Sequence, residues 1–394
     1  MTTTTSGLVR MILVLSIAAG LAAAASAQSP APASGADAEI RLGLYGSLTG
    51  SEATFGKDTE AGVQLAVKEA NEAGGIQVGG AGEKKKVKLL SQDDQGKPEE
   101  VATVVTNLIT KEKVHVVLGE VASTLSLAAA PICQQNKTPM VSPSSTNPKV
   151  TQIGDFVFRV CFIDPFQGTV MAKFARNTLK AKTAAIFVDN GSDYAVGLGK
   201  YFAETFKKLG GEIVSEQAYG KNDIDFKAQL TGFKDKNPDV LFVPGYYTQV
   251  GQIAQQAKDL GLTSILLGGD GWDSPKLSEI GGDAISGAYF SNHYHAKETR
   301  PEVQKFVEAY KKEFGVIPNG LSALGYDAAK FTFDAIIRGK SLKGEDIRDA
   351  MATTKDFAGV TGKITINKER NPEKSAVVLQ VTKDGFEPQE VIAP

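Results

Sequence analysis

The chain is poor in the residues on which much protein chemistry rests. Of its 394 residues, two are cysteine, three are histidine and one is tryptophan. Two cysteines, Cys133 and Cys161, cannot be what holds a chain of this length together, so the core must come from apolar packing. Cys133 falls on an expected helix and Cys161 at a strand end. In an oxidising compartment they form a disulfide, and otherwise they are two separate buried thiols; the sequence leaves both readings open. Of the histidines, His293 and His295 alternate onto one face of an expected strand, but no third ligand accompanies them, and a zinc site takes three or four. No metal or cofactor site is expected.

An excess of one charge is also missing. There are 43 Lys and Arg against 45 Asp and Glu, and without a basic patch this balance argues against a nucleic-acid partner. Catalytic signatures fail as well. There is no G-x-S-x-G nucleophile elbow. GSEATFGKD, from Gly50 to Asp58, is one residue too long for a phosphate loop and has Asp58 where Ser or Thr would hold the metal. Asp270 and Asp273 are spaced as an acid pair for glycoside hydrolysis, and equally as a Gly-rich turn.

Long apolar runs are confined to the beginning. Behind Arg10 stands MILVLSIAAGLAAAA, closed by Ala25-Ser26-Ala27. The run is shorter than the ~20 residues that span a bilayer, and with its small-residue ending it has the form of a secretory signal peptide. Export to the periplasm is therefore expected, with cleavage near Ala27 (signal peptide 1–27), and no cysteine stands there to take a lipid. QSPAPASGADA, 28–38, follows as a flexible Pro/Ala/Ser tether.

What the mature chain has is alternation. EIRLGLY, KVKLLSQ and VHVVLG each precede an amphipathic stretch, the first carrying Val63, Val67, Ala70 and Ala73 and closed by Gly74-Gly75, the last carrying Leu125, Ala128, Ala129 and Ile132. The strand of MVSPSSTNP follows. After Asp164-Pro165 the pattern restarts: a helix from about 166 to 179, then AAIFVD, EIVSEQA, DVLFVP and SILLGG with helices between, one of them capped by Asp225. Such alternation implies an α/β fold with mostly parallel sheets flanked by helices, in two lobes. Helices from about 303 to 314 and 321 to 337 need a sheet to cover, and the first lobe is the expected host.

Ligands of such sheets lie beyond the carboxyl ends of the strands. The loops there hold small hydroxyls on one lobe (GEVASTL, SPSSTNP) and aromatics and acids on the other (DNGSDYA, PGYYTQ, GDGWDSP). Ser123 serves as a helix N-cap, and together with Ser144, Ser145 and Thr146 it also offers donors able to hold a carboxylate without Lys or Arg. Asp270, between Gly269 and Gly271, is either a turn residue or a buried acid in want of a cation. Tyr194, Tyr246, Tyr247 and Trp272 are an aromatic wall or ordinary half-buried residues.

From about Glu39 onward the chain resembles the Leu/Ile/Val-type periplasmic substrate-binding proteins of ABC importers, a two-lobed type I binding fold joined by hinge strands. The resemblance is carried by GSLTGSEATFGKDTEAGVQLAVKEANEAGGI, VVLGEVASTLSLAAAP, MVSPSSTNP, FVFRVCFIDPFQG, PGYYTQVGQIAQQAKDLGL and GGDGWDSP, in that order over nearly the whole mature chain. It implies lobes of 39–162 with 296–370 and of 163–295 with 371–394, crossing near Ile163, His293 and Asn371. It implies that Ser123, backbone at Ser144 and Ser145, and Thr146 hold an amino acid's α-carboxylate. Asp270, with Tyr194 and Tyr246 nearby, would receive the ammonium, while Phe55 and Trp272 border the side chain. The branched-chain-specific members tend to carry Glu and Tyr where this chain has Asp270 and Phe55, which leaves the preferred side chain open. A monomeric, non-enzymatic carrier serving a membrane ABC permease is the implied role. An exported sensor domain, which would normally continue into a second membrane segment, is the next reading, and an exported hydrolase the third.

Overall fold

Valine, isoleucine and leucine fill the strands with little alternation, as a parallel sheet covered on both faces requires. The computed structural model describes residues 38–394. The expected signal peptide and all but Ala38 of the tether lie outside the described residues. Among the described residues no helix is long and apolar enough to cross a membrane.

Two sheets carry the fold. The first has five parallel strands in the order Val87–Asp93, Ile40–Gly46, Val116–Leu118, Met140–Ser142 and Val157–Arg159. The second has seven: Gly385–Ile392, Ala376–Thr382, Tyr289–Asn292, Ile265–Gly268, Val240–Phe242, Thr183–Asp189 and Glu212–Tyr219. Ala376–Thr382 runs antiparallel to both of its neighbours, and the remaining pairs are parallel.

Helices cover both faces of each sheet. On the first sheet, helix Ala53–Glu72 buries Val63, Ala66 and Ala70 beside Leu324, Ala328 and Phe331 of helix Gly320–Arg338. The other face takes Val101, Val105 and Leu108 of Pro98–Thr110, and Leu125 and Ala129 of Ser123–Gln135. Cys161 belongs to the first of these clusters and Cys133 to the second, so the sheet stands between them and both are free buried thiols. Burial pushes each thiol up to about 12.

Local expectations are met with small differences. Helix Ala53–Glu72 stops one residue short of Ala73, and Gly74 and Gly75 turn the chain with φ of 97° and 106°. A Cβ on Gly75 would lie 2.4 Å from the Lys85 carbonyl oxygen, so glycine is required there twice over. The helix expected from 166 starts earlier, as Asp164–Lys173, and loosens into a π turn at Phe174–Thr178. Asp225 lies just outside helix Lys227–Lys236, and its carboxylate accepts the Lys227 N–H at 3.1 Å.

The chain passes between the sheets three times. After Arg159 it leaves the first sheet, and helix Asp164–Lys173 sends Val170 and Met171 into the second-sheet core. After Asn292 it returns, and helix Pro301–Phe314 packs Val303 and Phe306 on Leu65 of helix Ala53–Glu72. After hairpin Phe357–Ile364 it leaves again for strand Ala376–Thr382.

Helices Ala53–Glu72 and Gly320–Arg338 meet backbone to backbone. A Cβ on Gly62 would lie 1.9 Å from the Ser322 carbonyl oxygen, and one on Gly325 2.3 Å from that of Thr59. Neither carbonyl can yield without disturbing its helix. Gly62→Ala should therefore destabilise the protein by ~1–3 kcal/mol despite alanine's better helix propensity, the cost of overpacking. Urea unfolding of the variant, with an unchanged m-value, is the check.

Candidate ligand-binding site

The loops beyond the strand ends of the two sheets meet. Thr54 Oγ1 lies 2.9 Å from Ser274 Oγ, Thr248 Oγ1 donates to the Ser51 carbonyl at 2.7 Å, and Lys221 Nζ reaches Glu52 at 3.4 Å and the Gly96 carbonyl at 3.0 Å. Asn147 Nδ2 donates to the Asp193 carbonyl at 2.7 Å, and Thr124 exchanges hydrogen bonds with Asp193. The cleft is closed.

Asp270 stands at its centre. Strand Ile265–Gly268 ends, Gly269 continues extended, and a single turn Asp270–Trp272 presents the carboxylate. Neither flanking glycine has a positive φ. Their requirement is space: a Cβ on Gly269 would lie 2.3 Å from the Tyr194 hydroxyl, and one on Gly271 2.7 Å from the Gly245 carbonyl oxygen and 2.9 Å from the Tyr246 ring. The carboxylate is 4% exposed and takes three hydrogen bonds: Gln167 Nε2 to Oδ1 at 2.6 Å, Ser144 Oγ to Oδ2 at 3.3 Å, and His293 Nε2 at 2.9 Å from Oδ2. Ser144 comes from the first lobe, Gln167 from the helix that opens the second, and His293 from a crossing segment. Burial pushes the His293 imidazole down, with Asp270 pulling the other way.

Around the acid lies a small cavity, about 10 Å³, lined by Val121, Ser144, Tyr194, Tyr246, Asp270 and Gly271. Tyr194 and Tyr246 stack with centroids 5.5 Å apart and planes 5° from parallel. The Tyr194 hydroxyl accepts the Gly271 N–H at 3.2 Å. Phe55, from the first lobe, meets the Tyr246 ring edge-on at 5.4 Å, supporting that wall from behind.

The small hydroxyls divide into two kinds. Ser145 is spent inside its own lobe: its N–H goes to Ser142 Oγ at 2.8 Å, and its hydroxyl meets the Glu120 carbonyl at 2.8 Å and Ser126 Oγ at 2.7 Å. Ser123 is the first residue of its helix and not its cap; Ala122 holds the cap position, and Ser123 Oγ accepts the Asn147 N–H at 3.2 Å. Thr146 is different, because its buried Oγ1 has no partner. Trp272 also sits elsewhere than in the cavity wall. It is fully buried in the second-lobe core, its Nε1 donating to the Val243 carbonyl at 3.0 Å, and a Cβ on Gly268 would fall 2.0 Å from its ring.

Of the nine residues expected at the site, Ser144, Tyr194, Tyr246 and Asp270 line the cavity; Phe55, Thr146, Ser123 and Ser145 are not in its lining, and Trp272 lies in the core. Val121, Gln167 and His293 were not expected there. The signal for His293 was its position directly after the strand Tyr289–Asn292, which ends before both His293 and His295 and so removes the shared strand face. Among the described residues no group of three His, Cys, Asp or Glu is placed to hold a metal ion. A larger cavity, about 470 Å³, lies by the crossings between Arg300, Lys363 and Lys374. Its cations already have partners, Arg300 in Glu298 and Glu302, Lys363 in Asp356 at 3.8 Å, and Lys374 in the Val160 carbonyl and the Thr361 hydroxyl.

A second buried acid adjoins Asp270. Asp164 is fully buried, neither oxygen has a hydrogen-bond partner, and burial pushes its carboxyl up to about 8, the adjoining Thr146 hydroxyl lying short of bonding geometry. An acid whose folded pKa exceeds its unfolded one weakens the fold as pH climbs from about 4 towards 8. Asp164→Asn should therefore stabilise the ligand-free protein at pH 8, by ~1–3 kcal/mol, and change little at pH 4. Thermal melts of both proteins at the two pH values measure this directly.

The periplasmic binding protein family model matches residues 39–386. A leucine-binding protein from Thermotoga maritima is 42% identical, with a TM-score of 0.85 over 90% of this chain and 99% of that one. The substrate-binding protein of a Streptococcus pneumoniae branched-chain amino acid transporter, solved with isoleucine, is 33% identical, with a TM-score of 0.84 over 90% of this chain and 100% of that one. A Leu/Ile/Val-binding protein from Rhizobium johnstonii is 31% identical over 84% of this chain and 88% of its own. With the family model spanning both sheets and the cleft between them, the chain belongs to the periplasmic binding protein family.

Proposed function

We propose that this protein is an exported, monomeric, non-enzymatic carrier that captures a hydrophobic α-amino acid between its lobes and delivers it to a membrane ABC permease. The observation that carries the reading is Asp270: a carboxylate at the closed cleft, hydrogen-bonded by neutral or weakly basic donors, with no Lys or Arg lining the cavity. A carboxylate has about four acceptor positions, and three are taken, so one remains for an ammonium N–H. Relatives that bind leucine and isoleucine support the same ligand class.

The remainder of the ligand follows from the walls. Ser144 lines the cavity, and Thr146, outside its lining but with a buried, unpartnered Oγ1 two residues further along the SPSST loop, is the second neutral donor that would meet an α-carboxylate. Tyr194, Tyr246 and Val121 give the side chain an apolar face without a basic group, so aliphatic and aromatic side chains fit better than acidic ones. A zwitterion held from both lobes ties binding to closure about the crossings near Ile163, His293 and Asn371.

Calorimetry against free amino acids tests the assignment. At least one aliphatic or aromatic amino acid should bind, and its deaminated acid should bind far more weakly; equal affinity for the two refutes the reading. Asp270→Ala would leave the ammonium buried without its counter-charge and should cost ~3–5 kcal/mol, roughly 200- to 5,000-fold in Kd. Solution scattering should show compaction when the amino acid is added to the open protein.

A further inference from the structure

His293 is the group with which a ligand must share Asp270. It follows strand Tyr289–Asn292 on the segment that leaves the second sheet, and its side chain is 1% exposed. The ring lies on Phe162, from another crossing segment, with centroids 3.6 Å apart and planes 24° from parallel. Nε2 sits 2.9 Å from Asp270 Oδ2, while Nδ1 is buried with no partner at all. The backbone N–H is engaged by the Asn292 side chain at 2.7 Å, which holds the residue in place.

This geometry suits one charge state. A neutral imidazole with its proton on Nε2 donates to Asp270 and leaves the carboxylate its full charge for an ammonium. A protonated ring cancels that charge and places a second N–H, on Nδ1, against no acceptor. The charged groups that act on the ring are Asp270, by contact, and Lys374, whose charge opposes protonation, while Asp164 adjoins Asp270. Gln167 and Ser144, which share Asp270, are neutral.

Resting on the amino-acid reading above, we propose that His293 is a positioning residue that links capture to the proton: closure on an amino acid requires the neutral ring, so the protein releases its cargo as the medium turns acid. Imidazolium and ligand ammonium compete for one carboxylate. With the ring buried, the closed state binds a proton more weakly than the open one, in which an ordinary imidazole titrates near 6.5. Affinity is then complete above about pH 6.5 and falls by up to tenfold per pH unit below it.

The test is the Kd for L-leucine at pH 5, 6, 7 and 8, with calorimetric heats at pH 6 in two buffers of different ionisation enthalpy to count protons. Wild type should lose about 10- to 30-fold between pH 7 and pH 5 and release a proton on binding. His293→Gln keeps a neutral donor to Asp270 and loses the titration; its affinity at pH 7 should drop several-fold with the lost stacking on Phe162, and its profile should be flat to within about threefold over the same range. His293→Asn gives the same reading should the glutamine variant melt early. Asp94 and Asp273, buried acids pushed up to about 6 and about 7, remain in both variants and act as internal controls. A variant with the wild-type slope, or binding without proton release, overturns the proposal while leaving the amino-acid assignment standing. Should leucine not bind, the same series is run with the aliphatic or aromatic amino acid that does; absence of binding by all of them to wild type at every pH removes both.

Discussion

A buried carboxylate without a permanent cation partner organises this molecule. Asp270 is held in a closed cleft by a serine of one lobe, by a glutamine on the first helix of the other and by a histidine on a segment that crosses between them. An unpaired charge in such a place is costly, and three hydrogen bonds offset only part of that cost. What remains favours any ligand that brings a compact positive group, and the same three contacts make both lobes feel its arrival.

Much of the surrounding chemistry serves to keep that acid accessible and its neighbours rigid. Gly269 and Gly271 exist so that two tyrosines can approach the backbone, and Gly268 so that Trp272 can lie flat beneath the strand. Ser142, Ser145 and Ser126 knit the SPSST loop to the Glu120 and Val121 carbonyls. Glu120 itself is buried, its carboxyl raised to about 8 by burial first and by Asp94 next, and it accepts both the N–H and the hydroxyl of Ser47 at 3.0 Å. The first lobe thus presents a preformed edge instead of a mobile loop.

The fold is legible in the sequence because period and composition act locally: apolar runs bounded by caps become strands and helices wherever the sheets then place them. The rule that ligands lie beyond strand ends also picks out Asp270, Ser144 and Tyr246, which the fold brings to one cavity. What it does not give is direction. Ser145 and Trp272 occupy the right loops and point into their own lobe, and Ser123 lies one residue past the cap it was expected to be. His293 and Gln167 act through contacts with a residue 23 and 103 positions away, and no local pattern marks such a pairing.

The glycine contact between helices Ala53–Glu72 and Gly320–Arg338 bears on the order of assembly. The first sheet is finished in sequence by Arg159, yet the helix that covers Ala53–Glu72 is more than 240 residues further on. Until that helix is made, Val63, Ala66 and the sheet face beside them lack the part of their cover that Leu324, Ala328 and Phe331 supply. The early lobe must therefore wait, loosely collapsed, while the second sheet is built between its own two halves. Such long-range closure slows folding and leaves apolar surface open to other chains during synthesis, so the nascent protein is a natural client for chaperones until residue 338 has emerged.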